Sequence, residues 1–215
     1  MYKVVVLLLT MFACTAHADT VFNYDGFFAR MKKSEQPQYS DVTLTFVLQK
    51  QATVEPCQIE KAKITTDISE ETLTVAANGE LILPYEQVFN DRKALIRLVQ
   101  SKDATACDLN FRLRNKMPLG QTVKLSQLRK IHQQFAALLN DLAGLGKYFL
   151  PQMTGITLQF ANSAPLMQSS SAVEQAWHCQ GNNCHLDLTA LPDGSDDVEL
   201  KFSQAPEYLF PYIPR

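Results

Sequence analysis

Two histidines, two cysteines and an aspartate crowd into one stretch of the 215-residue chain, Trp177-His178-Cys179-Gln180-Gly181-Asn182-Asn183-Cys184-His185-Leu186-Asp187. Gly181-Asn182-Asn183 is turn chemistry, so the stretch closes a hairpin with Cys179 opposite Cys184 and His178 opposite His185. Alternation along each strand then places Trp177, Cys179, Cys184, Leu186 and Leu188 on an inner face. His178, His185, Asp187 and Thr189 share the outer one. Opposed side chains have Cβ atoms about 5 Å apart, which makes His178 and His185, with Asp187 beside them, a candidate zinc or copper site. A site using both cysteines and both histidines is disfavoured, because neighbours on a strand point apart. The simpler reading is a row of solvent-facing polar side chains with no cofactor.

A second set is electrostatic and aromatic. Arg112, Arg114, Lys116, Lys124, Arg129 and Lys130 concentrate positive charge in the middle of the chain, and Asp187, Asp193, Asp196, Asp197 and Glu199 make a later part acidic. These groups either attract one another or present an anion-binding surface. The tail, residues 206–215, alternates prolines with Tyr208, Phe210 and Tyr212, and such a segment packs back on the fold or docks on something else. Tyr208, Phe210, Tyr212, Arg112, Arg114 and Arg129 are therefore the candidate partner surface. Residues 192–197 lack the alternating ligands of a calcium loop and read as an acidic hairpin turn. His132 falls beside an apolar helical stripe and is read as a boundary residue. No G-x-S-x-G, H-E-x-x-H, P-loop or S-x-x-K pattern occurs, so an enzyme would need a site assembled from distant residues.

The elements that must position these groups follow from periodicity. Residues 24–33 read as a short helix with Phe27, Phe28 and Met31 on one side. From residue 40 the period is two, with Val42, Leu44, Phe46 and Leu48 on one face. Further strands are expected at 57–66, 71–76, 80–85, 93–100 and 107–114. Asn78-Gly79 suits a tight hairpin turn. Cys107, Leu109, Phe111 and Leu113 should face inward, with Arg112 and Arg114 outward. Leu128, Ile131, Phe135, Leu138, Leu142, Leu145 and Phe149 step by three and four, predicting a helix over 126–149 that Pro151 ends. Gly144 and Gly146 weaken its last turns. Strand alternation resumes at 155–160, and residues 162–172, with Pro165, have linker composition. The fold class expected is α+β: an antiparallel β-sandwich-like portion, one long amphipathic helix and a C-terminal β-hairpin, disulfide-bonded.

Residues 1–18 have the form of a signal peptide: Lys3, an apolar run over 4–12, then Ala16-His17-Ala18 before a cleavage point. A lipid-attachment site at Cys14 is the rival, disfavoured by the bulky Phe12 close to it. This leader makes the periplasm the expected compartment. Organisation is then 1–18 as leader, 19–118 as a β-rich portion and 119–215 as helix plus hairpin, the last two forming either separate units or one continuous domain. No later stretch is apolar over the roughly 20 residues that span a bilayer. With 20 basic and 22 acidic side chains there is no polybasic stripe, and nucleic acid is excluded as an expected partner. Cys57, Cys107, Cys179 and Cys184 form bridges by default in an oxidising compartment. Of three possible pairings, Cys57–Cys107 with Cys179–Cys184 is favoured because one pair lies in each half.

The Tyr-x-Gly-Phe-Phe opening at Tyr24, the Cys57-Gln58-Ile59-Glu60 and Glu80-Leu81-Ile82-Leu83-Pro84 segments, Cys107 and the Trp177-x-Cys179 hairpin together resemble a family of exported gammaproteobacterial proteins known only as a domain of unknown function. The resemblance spans nearly all of the chain after the leader. It implies a periplasmic location and carries over no substrate, cofactor or active residue. The preferred expectation is a binding or envelope-assembly protein whose partner is another periplasmic or envelope protein. A metal-binding protein and an enzyme with a dispersed site are the alternatives.

Overall fold

The structure, a computed structural model, describes residues 19–51, 53, 55–101, 107–162 and 166–214. The leader at 1–18, with Cys14 and the cleavage point after Ala18, lies outside the described residues, as do Pro165 and Arg215. Strand β1 (Asp19–Asn23) runs into helix α1 (Tyr24–Ser34), and a 3-10 turn at Pro37–Tyr39 leads to β2 (Val42–Lys50). There follow β3 (Ile59–Thr65), β4 (Glu70–Thr72), β5 (Thr74–Val75), β6 (Glu80–Ile82), α2 (Gln87–Asp91), β7 (Leu95–Gln100) and β8 (Cys107–Asn115). Strand β9 (Thr122–Lys124) opens into α3 (Leu125–Ala143), which continues as a 3-10 turn, Gly144–Phe149. The remainder is β10 (Gly155–Gln159), β11 (Leu166–Gln168), α4 (Ser171–Gln175), β12 (Trp177–Gln180), β13 (Asn183–Asp187), β14 (Glu199–Phe202) and β15 (Tyr208–Tyr212).

These strands make four antiparallel sheets, so the class is α+β as expected. The first has the order β1-β7-β3-β4 and the second β5-β6-β2-β8; the third is β11-β14-β9 and the fourth β12-β13-β10-β15. Gly79, at φ +83°, turns the β5–β6 hairpin. Helix α1 buries Phe27, Phe28 and Met31, with Phe27 edge-on to Phe46 of β2 at 4.9 Å between ring centres. Helix α3 buries Leu125, Leu128, Ile131, Phe135 and Leu138. That stripe is shared: α3 touches α1, β2 and β8 as well as β9, β10 and β15. At its start, Leu125 and Ser126 donate backbone hydrogen bonds to Val198 and Asp196.

Three expectations need correction. The α-helix stops at Ala143, where Gly144 takes φ +57°, so Leu145 and Phe149 leave the apolar stripe and stand in solvent. Phe111 does share the inner face, edge-on to Phe46 at 5.7 Å between ring centres, yet it stays 52% exposed because β8 is an edge strand, with the Arg30 guanidinium 4.8 Å from its centre. Cys179 likewise lies exposed because β12 is an edge, whereas its partner Cys184, one strand further in, is buried. The linker-like residues 162–172 contain order the composition did not announce. Strand β11 pairs with β14, and the Ser170 hydroxyl accepts a bond from the Val173 N–H at the start of α4.

Both disulfides pair as favoured, Cys57–Cys107 across 50 residues and Cys179–Cys184 across 5. The first ties the segment entering β3, in one sheet, to the first residue of β8, in the next. Loop-closure entropy makes it worth ~4 kcal/mol and the short bridge ~2 kcal/mol. A Cys57→Ser/Cys107→Ser variant should accordingly lose about twice as much unfolding free energy as Cys179→Ser/Cys184→Ser in urea titrations.

Candidate functional site

The outer face of the fourth sheet collects most of the chemistry singled out above. Register places Tyr208, Gln159 and Asn183 in one row, then Phe210, Thr157, His185 and His178, then Tyr212, Gly155 and Asp187. The alternate residues Leu209, Leu158, Ile156 and Leu186 point into the core and are fully buried. The tail thus packs back on its own fold as strand β15, beside β10.

Strand β8 of the second sheet lies against this face. Its outward residues Arg112 and Arg114 set their guanidinium carbons 5.1 Å from the Phe210 ring centre and 5.6 Å from that of Tyr208. One buried side chain welds the two strands. Asn115 accepts a hydrogen bond from the Leu209 N–H at 2.8 Å and donates to the Met117 carbonyl at 2.7 Å. Between the sheets is an open cleft of about 380 Å³, lined by Thr45, Val47, Glu80, Arg112, Arg114, Gln159, Asn183, Tyr208 and Phe210 among others. This second layer is why Thr45 and Val47 of β2 are buried although they face away from α1.

The two arginines differ in state. Arg114 grips Glu80 with two nitrogens, Nη2–Oε1 at 2.9 Å and Nε–Oε2 at 3.3 Å, and also donates to the Asn115 carbonyl. Glu80 is nearly buried, so Arg114 is committed to neutralising it. Arg112 has no carboxylate within ion-pair distance among the described residues. Burial pulls its pKa below the ordinary guanidinium value, opposed by the more distant charge of Glu80, and it stays a cation. Three of the other cations are engaged elsewhere. Arg129 is paired with Asp196 and bonded to Pro192 and Ser195, while Lys130 meets Asp41 and Lys116 meets Glu35. Mutual attraction therefore accounts for Arg129, which the structure does not bring to the cleft.

The hairpin has the expected register, with His178 opposite His185 and Cys179 opposite Cys184. His185 stacks on Tyr212 at 4.5 Å, and its Nδ1 shares a 2.9 Å hydrogen bond with the Thr157 hydroxyl. Asp187 turns away to accept bonds from the Thr189 N–H and hydroxyl at 2.9 and 2.6 Å. Burial raises that carboxyl, but the hydrogen bonds from Thr189 and Ala190 outweigh it, leaving the pKa below its usual value. Among the described residues, no three His, Cys, Asp or Glu side chains converge as a metal would need. His132 is half-buried on α3, its Nε2 without a hydrogen-bond partner among the described residues.

Sequence reasoning missed Glu80 and Asn115. The signal for Glu80 is an acid opening an apolar strand directly after a tight turn; that for Asn115 is an amide continuing the inward alternation of Leu113 at the end of the strand.

Two predictions follow from this geometry. Asn115→Ala strands the buried Leu209 N–H, while the part-buried Met117 carbonyl can turn to water, and it should cost about 1–3 kcal/mol in denaturant unfolding, the usual penalty for one orphaned group. Burial lowers the pKa of His132 and of His185, the latter also through the nearby His178. Both imidazoles are then harder to protonate folded than unfolded, so the unfolded state binds more protons below about pH 6.5 and stability falls as pH falls through that value. Denaturant midpoints should drop between about pH 7.5 and 5.5, and His185→Asn should shrink that drop.

A family described as "Protein of unknown function (DUF2987)" matches residues 16–160, a span that contains β8 and its arginines and ends before β15. Neither the curated proteins nor the solved structures contain a match to the chain. The chain belongs to that family.

Proposed function

We propose that this member of the family is an exported periplasmic binding protein whose inter-sheet cleft takes an anionic group, a carboxylate or phosphate, borne by a periplasmic or envelope partner. The observation that carries the reading is Arg112: a half-buried cation, its guanidinium carbon 5.1 Å from the Phe210 ring centre, with no carboxylate in ion-pair range among the described residues, at the wall of a cleft also lined by the amides of Gln159 and Asn183. A guanidinium beside a ring and not paired with a carboxylate keeps N–H groups for a forked oxyanion. Arg114, already neutralised by Glu80, braces the wall. The two disulfides support an oxidising compartment, and the leader at 1–18 supports export. Among the described residues no helix is long and apolar enough to cross a membrane.

Inorganic phosphate at constant ionic strength is a direct probe. A bound anion stabilises the fold by about 2.7 kcal/mol at a hundredfold excess over Kd, so the thermal midpoint of the parent should rise with phosphate. Arg112→Gln should abolish that rise and Arg129→Gln should retain it. An equal rise in the parent and in Arg112→Gln would refute the reading.

A further inference from the structure

Where α3 ends, three large apolar side chains stand almost wholly in water: Leu145 is 86% exposed, Tyr148 77% and Phe149 89%. The cause is local. Gly144 leaves the helical conformation, the chain tightens into the 3-10 turn Gly144–Phe149, and Pro151 prevents any continuation. The turn packs chiefly against the end of α3, and the exposure of its three large side chains makes it a protruding, convex tip. Its charge has a single sign. Residues 142–153 contain no acid, and Lys147 holds its ammonium 5.3 Å from the Tyr148 ring centre. Lys33 donates to the Asp141 carbonyl at 2.8 Å, bringing a second cation to the base of the tip. Asp141 itself, at the base of the tip, accepts a hydrogen bond from the Tyr39 hydroxyl and keeps its negative charge there.

We propose that this tip is an interfacial anchor, which inserts Leu145, Tyr148 and Phe149 into an anionic lipid surface with Lys147 and Lys33 at the level of the phosphates. Tyrosine and a snorkelling lysine around apolar side chains are the residue types that settle at a bilayer interface. A second copy of the chain is a poorer occupant, since tip-to-tip contact sets the same cations against each other. A fluid lipid surface needs no complementary pocket to accept a convex tip. The proposal is independent of the anion cleft, which lies on another part of the molecule and is tested by other residues.

The test uses the full chain carrying Phe149→Trp, mixed with vesicles of equal phosphatidylglycerol and phosphatidylcholine, and with phosphatidylcholine alone. The introduced indole should shift to shorter emission wavelength and be quenched by brominated acyl chains on the anionic vesicles. Subtracting the emission of the parent, which comes from Trp177 in β12, leaves a signal from the tip that the apolar residues 4–12 do not supply. Leu145→Ser/Tyr148→Ser should lower partition at least tenfold while leaving the melting curve unchanged, as both side chains are exposed. Lys147→Gln should lower it about fivefold on the anionic vesicles only. Unshifted emission, or equal sedimentation of parent and double variant with vesicles, would overturn the proposal. So would a dimer in vesicle-free buffer that the double variant abolishes, which would assign the tip to a second copy.

Discussion

A single amide holds the cleft together. Asn115, 3% exposed, spends its oxygen on the Leu209 N–H and its nitrogen on the Met117 carbonyl, so the end of β8 and the middle of β15 are fixed to one another. Inside a protein such a bond has no water to replace it, which turns a modest attraction into a strict geometric condition. Everything on the outer face of the fourth sheet inherits its position from that condition. Arg112 and Arg114 are three and one residues before Asn115, Tyr208 and Phe210 are one residue either side of Leu209, and the cation–ring contacts follow from the register.

The electrostatics of the cleft are then a matter of unequal partners. Two arginines on the same strand face meet two aromatic rings, yet one buried carboxylate, Glu80, serves both, and geometry awards it to Arg114. Most of the remaining positive charge in this part of the chain is cancelled at short range by Asp196, Asp41 and Glu35. A chain close to overall neutrality can in this way keep one half-buried cation, Arg112, without a carboxylate in ion-pair range among the described residues. Around it, the helix stripe shared between α1, β2, β10 and β15 supplies the rigid backing that makes the placement reproducible.

Local periodicity made much of this legible. The alternation in β2, the 3.6-residue stripe of α3 as far as Leu138 and the Gly181-Asn182-Asn183 turn are short-range patterns, and they predicted elements and the hairpin register, while the disulfide pairing followed from one pair lying in each half of the chain. What failed were features decided at the margins of elements or at long range. Leu145 and Phe149 fit the helical period, but a glycine at positive φ ended the helix before them. Phe111 fits the strand period, but an edge strand need not be covered along its whole length. The third sheet escaped notice because β9 and β11 are each too short to show any period. Of the proposed partner surface, Arg112, Arg114, Tyr208 and Phe210 converge although the two pairs are far apart in sequence. Nothing in either segment alone announces the other; charge in one and aromatic rings in the other were the only hint.

That separation also sets the order in which the molecule comes together. The β5–β6 hairpin, α1 and α3 form from contacts close in sequence, whereas β15 must find both β10 and Asn115 across long intervening loops, a search that is slow in proportion to its loop-closure entropy. Loop-closure entropy thus sets a larger barrier to closing the cleft than to forming those local elements. Until β15 docks, β10 presents one unpaired edge and the apolar rings of Tyr208 and Phe210 are loose beside it. A second chain in the same condition can offer its own β15 to that edge, so slow docking and strand exchange between molecules are two faces of one architecture.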